Sequence, residues 1–197
     1  MLMKIFKSKL KILLAVIFAI TIIGCKSVKL KEIEVNSKDK VIYNKVGIHS
    51  EWKGERFYSF STNYIGTNIF HKINTPFTLI KINKSQITLN INDSNKQLVI
   101  KFVKKHNQQE IDEYFNSIFS TSKTTIPSFL SEKEIKYIEN GTYFKGMSKD
   151  ALVLAIGHPP MNLNSNNNAN SLIYMIKRFN KIKFEISEEN KISNIIN

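Results

Sequence analysis

The chain has 197 residues, a single cysteine and a formal net charge of +13 at pH 7. One thiol excludes an internal disulfide and a multi-cysteine metal or redox centre. With 42% hydrophobic and 11% aromatic residues there is enough apolar material for real cores, which excludes a wholly disordered chain. No internal repeat is present. The N-terminus carries Lys4, Lys7, Lys9 and Lys11 and no acid, then the apolar run "LLAVIFAITII" over residues 13–23. A basic leader, an apolar stretch of about 7–15 residues and a small residue at the cut make a secretory signal. The run falls short of the roughly 20 residues a spanning helix needs.

Ile22-Ile23-Gly24-Cys25 resembles a bacterial lipobox, the aliphatic-x-small-Cys signature of lipoproteins. The resemblance implies cleavage between Gly24 and Cys25, diacylation of the Cys25 sulfur and further acylation (palmitate-type chains) of the new amine. Two or more acyl chains anchor a protein stably, whereas one binds only marginally. Lys26 follows the cysteine, where some bacteria place a retention Asp, so the outer membrane is favoured over the inner and the chain faces the periplasm. The four leader lysines account for four of the thirteen charges, leaving +9 on residues 25–197. Such a charge attracts anionic surfaces. The export signal argues against nucleic acid and for lipid head groups or acidic envelope partners.

Residues 25–40 read as a polar tether. From Val41 to His106 short runs rich in β-branched and aromatic residues follow one another: "FYSFST", "FTLIKI", "QITLNIN" and "QLVIKFV". Ile87, Leu89 and Ile91 alternate with Gln86, Thr88 and Asn90, the period of a half-buried strand. Asn-containing turns separate the runs, because Asn bonds locally and tolerates left-handed backbone. The spacing predicts a small antiparallel β-barrel or sandwich, resembling a Src-homology-3-like barrel. Residues 107–130 read as a helix and a linker. Ile111, Tyr114, Phe115, Ile118 and Phe119 form one helical stripe, with Asn107 as its cap and Glu110 completing the box.

In the last third, Ser131 and Glu134 form a second capping box. Gly141 suits the position after that helix. Ser148 caps the next helix, and Gly157 ends it ahead of Pro159-Pro160. After an Asn-rich loop come "LIYMIKRF", "KIKFEIS" and "KISNII", three strands. The order Ile138-x-x-Gly141, Gly146-Met147-Ser148, Gly157-His158-Pro159, Tyr174 and Phe184 resembles the SmpA/OmlA (BamE-like) lipoprotein family over residues 131–197. That resemblance implies an ααβββ domain on an outer-membrane lipoprotein, the best studied of which support β-barrel assembly. The family's usual Gly in the final turn is replaced by Glu189-Asn190, and about 100 residues precede the matching domain. The expected class is α+β: signal 1–24, tether 25–40, β domain 41–106, helix and linker 107–130, ααβββ domain 131–197.

Chemistry is sparse. His49, His71, His106 and His158 show no metal-type spacing, and His158 between a helix-ending Gly and two prolines reads as a turn residue. No Gly-x-Ser-x-Gly elbow, phosphate loop or His-Glu-x-x-His occurs. No metal, no cofactor and no catalytic residue is therefore expected. Trp52 with Phe57-Tyr58 reads either as core or as the lining of a ligand groove. Lys177, Arg178, Lys181 and Lys183 make a basic edge, either solvated or in contact with lipid phosphates or an acidic partner. The expectation is a lipid-anchored, non-enzymatic envelope protein that binds another envelope protein, in outer-membrane assembly or maintenance. The alternative is an anchored inhibitor or small-ligand binder.

Overall fold

The computed structural model describes residues 30, 33, 36, 37, 39–164 and 170–197. Ser37–Asn197 form one compact unit. Its strands are β1 (Val41–Asn44), β2 (Ile48–Lys53), β3 (Arg56–Phe60), β4 (Ile69–His71), β5 (Pro76–Asn83), β6 (Gln86–Ile91), β7 (Lys96–Lys101), β8 (Phe119–Ser120), β9 (Ser171–Lys177), β10 (Asn180–Ile186) and β11 (Ile192–Ile196). Five short helices accompany them among the described residues: α1 (Lys104–Asn107), α2 (Ile111–Ile118), α3 (Glu132–Glu139), α4 (Lys149–Ile156) and α5 (Met161–Asn164). None is long and apolar enough to cross a membrane.

Eight strands form one sheet in the order β4-β2-β3-β7-β6-β5-β1-β8, curled into a half-barrel. Every pairing is antiparallel except β3 with β7, which run parallel. Ile87, Leu89 and Ile91 of β6 are buried as read, but Thr88 between them is buried too, so the alternation breaks at that position. Leu98, Val99 and Ile100 of β7 are all buried, as befits a strand covered on both faces. The turns use left-handed Asn74 and Asn95, and Asn83 Oδ1 accepts from the Ser85 and Gln86 amides, both at 3.0 Å.

The second sheet is β11-β10-β9. Over it lies a cluster that includes Ile138, Met147, Leu152, Ile156, Tyr174 and Phe184. Backbone bonds tie segments flanking strands of the first sheet to α4 and to β9. The Gly47 amide donates to Leu154 O at 2.9 Å, and the Ile65 and Gly66 amides donate to Met175 O and Ile176 O at 3.1 and 3.0 Å. Gly47 has no room for a side chain: a Cβ there would sit 2.0 Å from Ala155 O.

The expected α+β architecture, a Src-homology-3-like barrel followed by a BamE-like ααβββ domain, is not what forms. The protein is mostly β, with one curled mixed sheet and a three-stranded sheet carrying only short helices. Two physical reasons account for the difference. Phe119, assigned to the helical stripe, leaves the helix and pairs with Asn44 as β8, extending the sheet beyond residue 106. Its ring packs on Phe77 and Phe115 at 5.8 and 5.2 Å, so the helix and its successor belong to the sheet's core. The parallel β3–β7 pairing was hidden because a parallel partner lies far along the chain, across three intervening strands. The α2 start also shifts. Glu110, not Asn107, is its N-cap, boxed with Glu113, while Asn107 ends α1.

Candidate functional site: a cleft without charge

The cleft of interest, about 530 Å³, opens where three pieces of chain converge. Val46–Ile48 with Ser61 and Asn63 supply one wall, and the α1–α2 corner with Asn107, Gln108, Gln109, Tyr114 and Ser117 a second. Gly157–Pro159, Met161 and Asn164 supply the third. Among the described residues the lining contains no Asp, Glu, Lys, Arg or Cys, in a chain whose residues are 23% charged. Val46, Ile48, Ile118, Pro159 and Met161 give it apolar surface, and carboxamides, hydroxyls and the His158 imidazole give it polar groups.

Asn63 is the hinge pin. Its backbone is left-handed, φ 50°. Oδ1 accepts from the His49 amide at 2.8 Å, and Nδ2 donates to Gly47 O at 3.1 Å and Ile156 O at 2.6 Å. One buried side chain thus ties β2 to the C-terminus of α4, where the helix leaves carbonyls unpaired. Gly157 makes room for it: a Cβ there would stand 2.3 Å from Asn63 Nδ2. Asn107 braces the second wall, donating to Ser61 Oγ at 2.6 Å and Val103 O at 2.8 Å. Gln108 follows in left-handed backbone, φ 53° and ψ 24°.

Tyr174 holds the third wall. It is fully buried, edge-on to Phe184, and its hydroxyl donates to Gly157 O at 2.9 Å. Tyr174→Phe strands that carbonyl in the interior and is expected to cost about 1–2 kcal/mol. Urea unfolding checks it: the midpoint falls with an unchanged slope.

Of the residues singled out by sequence, Gly157, His158 and Pro159 line the cleft, and Tyr174 supports it. The others are framework. Gly141, at φ 62°, has Phe70 where a Cβ would go. The Gly146 amide donates to Ile192 O at 2.8 Å, Met147 and Phe184 are fully buried, and Ser148 caps α4. Lys177 and Arg178 line a separate groove with Glu51, Phe60 and Tyr64, whereas Lys183 pairs with Glu185 at 3.2 Å. Lys181 is exposed, so the four cations do not act as one cluster. Trp52 is 44% exposed, with the Lys96 ammonium 4.6 Å over its ring and Phe57 at 4.7 Å. Ile22, Ile23, Gly24 and Cys25 lie outside the described residues.

His49 and His71 are buried, and burial lowers the pKa of each to about 4, assisted at His49 by the charge of His71. His71 Nε2 bonds Ser50 Oγ at 2.8 Å, whereas neither ring nitrogen of His49 has a partner. His106 bonds Thr62 Oγ1 through Nδ1 at 3.0 Å. His158 is exposed at the cleft, its pKa lowered first by desolvation and then by Lys45. Burial raises the pKa of the Tyr114 phenol. Among the described residues no group of three or more His, Cys, Asp or Glu is placed to hold a metal.

Asn63, Asn107, Gln108 and Gln109 were not legible as site residues, because Asn and Gln in "STNYIGTN" and "HNQQE" also signal turns and caps. Gln next to the end of a helix in place of Gly or Asn was the one available sign. No protein-family model, curated protein or solved structure matches this chain.

Proposed function

We propose that this chain is a lipid-anchored protein of the bacterial envelope that binds a small ligand in the uncharged cleft and does not turn it over. The leader and the Ile22–Cys25 lipobox support the anchor. The chemistry of the lining carries the binding reading. General acid–base catalysis needs two positioned groups of matched pKa. The titratable groups in the described lining are His158, on an exposed turn, and Tyr114, whose phenol is held neutral. The cleft volume lies in the range of about 300–1,000 Å³ typical of small-molecule sites.

A second reading, an anchored module for another envelope protein, is favoured by one observation. Phe179 is 87% exposed at the β9–β10 turn, beneath Arg178 and beside Lys177 and Lys181. The anchor is tested by intact mass on protein extracted from membranes, with Cys25→Ser alongside. The expected result is the mass of residues 25–197 plus acyl chains, lost in the variant. An unmodified or simply cleaved mass contradicts it.

A further inference from the structure

We infer that the ligand of this cleft is a neutral saccharide. The inference rests on the cleft being the binding site and adds the class of ligand. Three observations carry it. The described lining holds no carboxylate, ammonium or guanidinium to pair with a phosphate, a carboxylate or an ammonium, the nearby Lys45 ammonium being bonded to Asn116 O at 2.6 Å, and burying such a group unpaired is costly. Asn63 and Asn164 spend both ends of their amides on backbone, so the side-chain groups turned to a ligand are the Gln108 and Gln109 carboxamides, the Asn107 acceptor and the His158 imidazole, and a carboxamide tip holds donor and acceptor side by side. That is the pattern presented by neighbouring sugar hydroxyls, while the apolar wall suits the C–H face of a pyranose ring.

The first wall also excludes the usual way of holding a peptide, addition of a strand to a free sheet edge. The Gly47 amide is spent on Leu154 O, Gly47 O on Asn63 Nδ2, and the His49 amide on Asn63 Oδ1. Recognition there must come from side chains.

Gln108 supplies the third observation. Among the described non-glycine residues with positive φ, five are Asn or Asp; Gln108 is the exception. Gly or Asn would suit this corner better. The chain keeps a longer carboxamide in strained backbone at the cleft, and such outliers concentrate at binding sites. Its neighbour Asn107 uses Nδ2 on Ser61 and Val103, which fixes its amide and leaves Oδ1 as the acceptor available to a ligand.

The test is calorimetric titration of the full protein in a detergent without a sugar head group. The probes are glucose oligomers, N-acetylglucosamine oligomers, galacturonate oligomers of equal length, and a tripeptide capped at both ends. A neutral oligosaccharide is expected to bind, with the uronate at least tenfold weaker and the peptide silent. Gln108→Gly, which suits the left-handed backbone, and Ser117→Trp, which fills the cleft, are each expected to weaken binding at least tenfold with thermal midpoints retained. Uronate or peptide binding as tight as the neutral sugar, lost in both variants, overturns the saccharide inference and leaves the cleft reading standing. Absence of binding by every probe, or saccharide binding that ignores both variants, overturns the inference.

Discussion

Asn63→Ala is expected to destabilise the protein by roughly 3–4 kcal/mol, among the largest effects of any single polar substitution here. The substitution removes three hydrogen bonds and leaves the carbonyls of Gly47 and Ile156 and the His49 amide without their partner in a buried place. It also puts a Cβ-bearing residue without a local polar tip at φ 50°. Asn63→Gly separates the two contributions. Glycine adopts the left-handed backbone freely, so it is expected to recover about 1 kcal/mol of the loss while the missing bonds still cost the rest. Denaturant unfolding of both variants measures the difference. If Asn63→Ala unfolds at the wild-type midpoint, this side chain does not join the two walls.

Acid is expected to unfold the protein in two overlapping stages. His49 and His71 are buried with pKa values of about 4, against an ordinary 6.5. The unfolded chain therefore binds these protons more readily than the folded one. Stability is complete above about pH 6.5 and falls as pH drops toward 4, by about 2–3 kcal/mol per ring. Glu134 governs the lower stage. Burial pushes its carboxyl up, but bonds from Ser148 and Ser131 outweigh that and hold the pKa near 2. Oε1 accepts from the Ser148 amide at 2.8 Å; Oε2 accepts from the Ser131 amide at 2.9 Å and its hydroxyl at 2.8 Å. One carboxylate thus serves the N-termini of α3 and α4, where negative charge is favoured.

Its contribution, on the order of 2 kcal/mol, is present above about pH 4.5 and lost as pH falls toward 2. Glu134→Gln is expected to lower stability at pH 7 by that amount and to flatten the stage below pH 4.5. His49→Phe, which removes two unpartnered ring nitrogens and keeps the stack on Phe70, is expected to flatten the upper stage. Urea midpoints between pH 3 and pH 8 report both.

Local grammar carried far in this sequence. The buried Ile87, Leu89 and Ile91 of β6, the Ser131–Glu134 box and the Ser148 cap all stand where the residues place them. Each depends on neighbours a few positions apart. The sheet did not follow from such signals. The β3–β7 pairing joins residues about 40 positions apart, and β8 is two residues following a helix. The cleft was less legible still. Its walls come from residues 46–63, 107–118 and 157–164, and its polar groups are residue types that turns and caps also use. In sequence Gly157 and Pro159 read as punctuation; their place in the cleft with Asn63 appears only in three dimensions.

The central claim is that this cleft holds a small ligand. The most direct measurement is native mass spectrometry of membrane-extracted protein, after incubation with the small-molecule fraction of the envelope, comparing wild type with Ser117→Trp. The expected result is an adduct of small-ligand mass on the wild type that the variant lacks. The bare protein in both samples, or the same adduct on both, would contradict it.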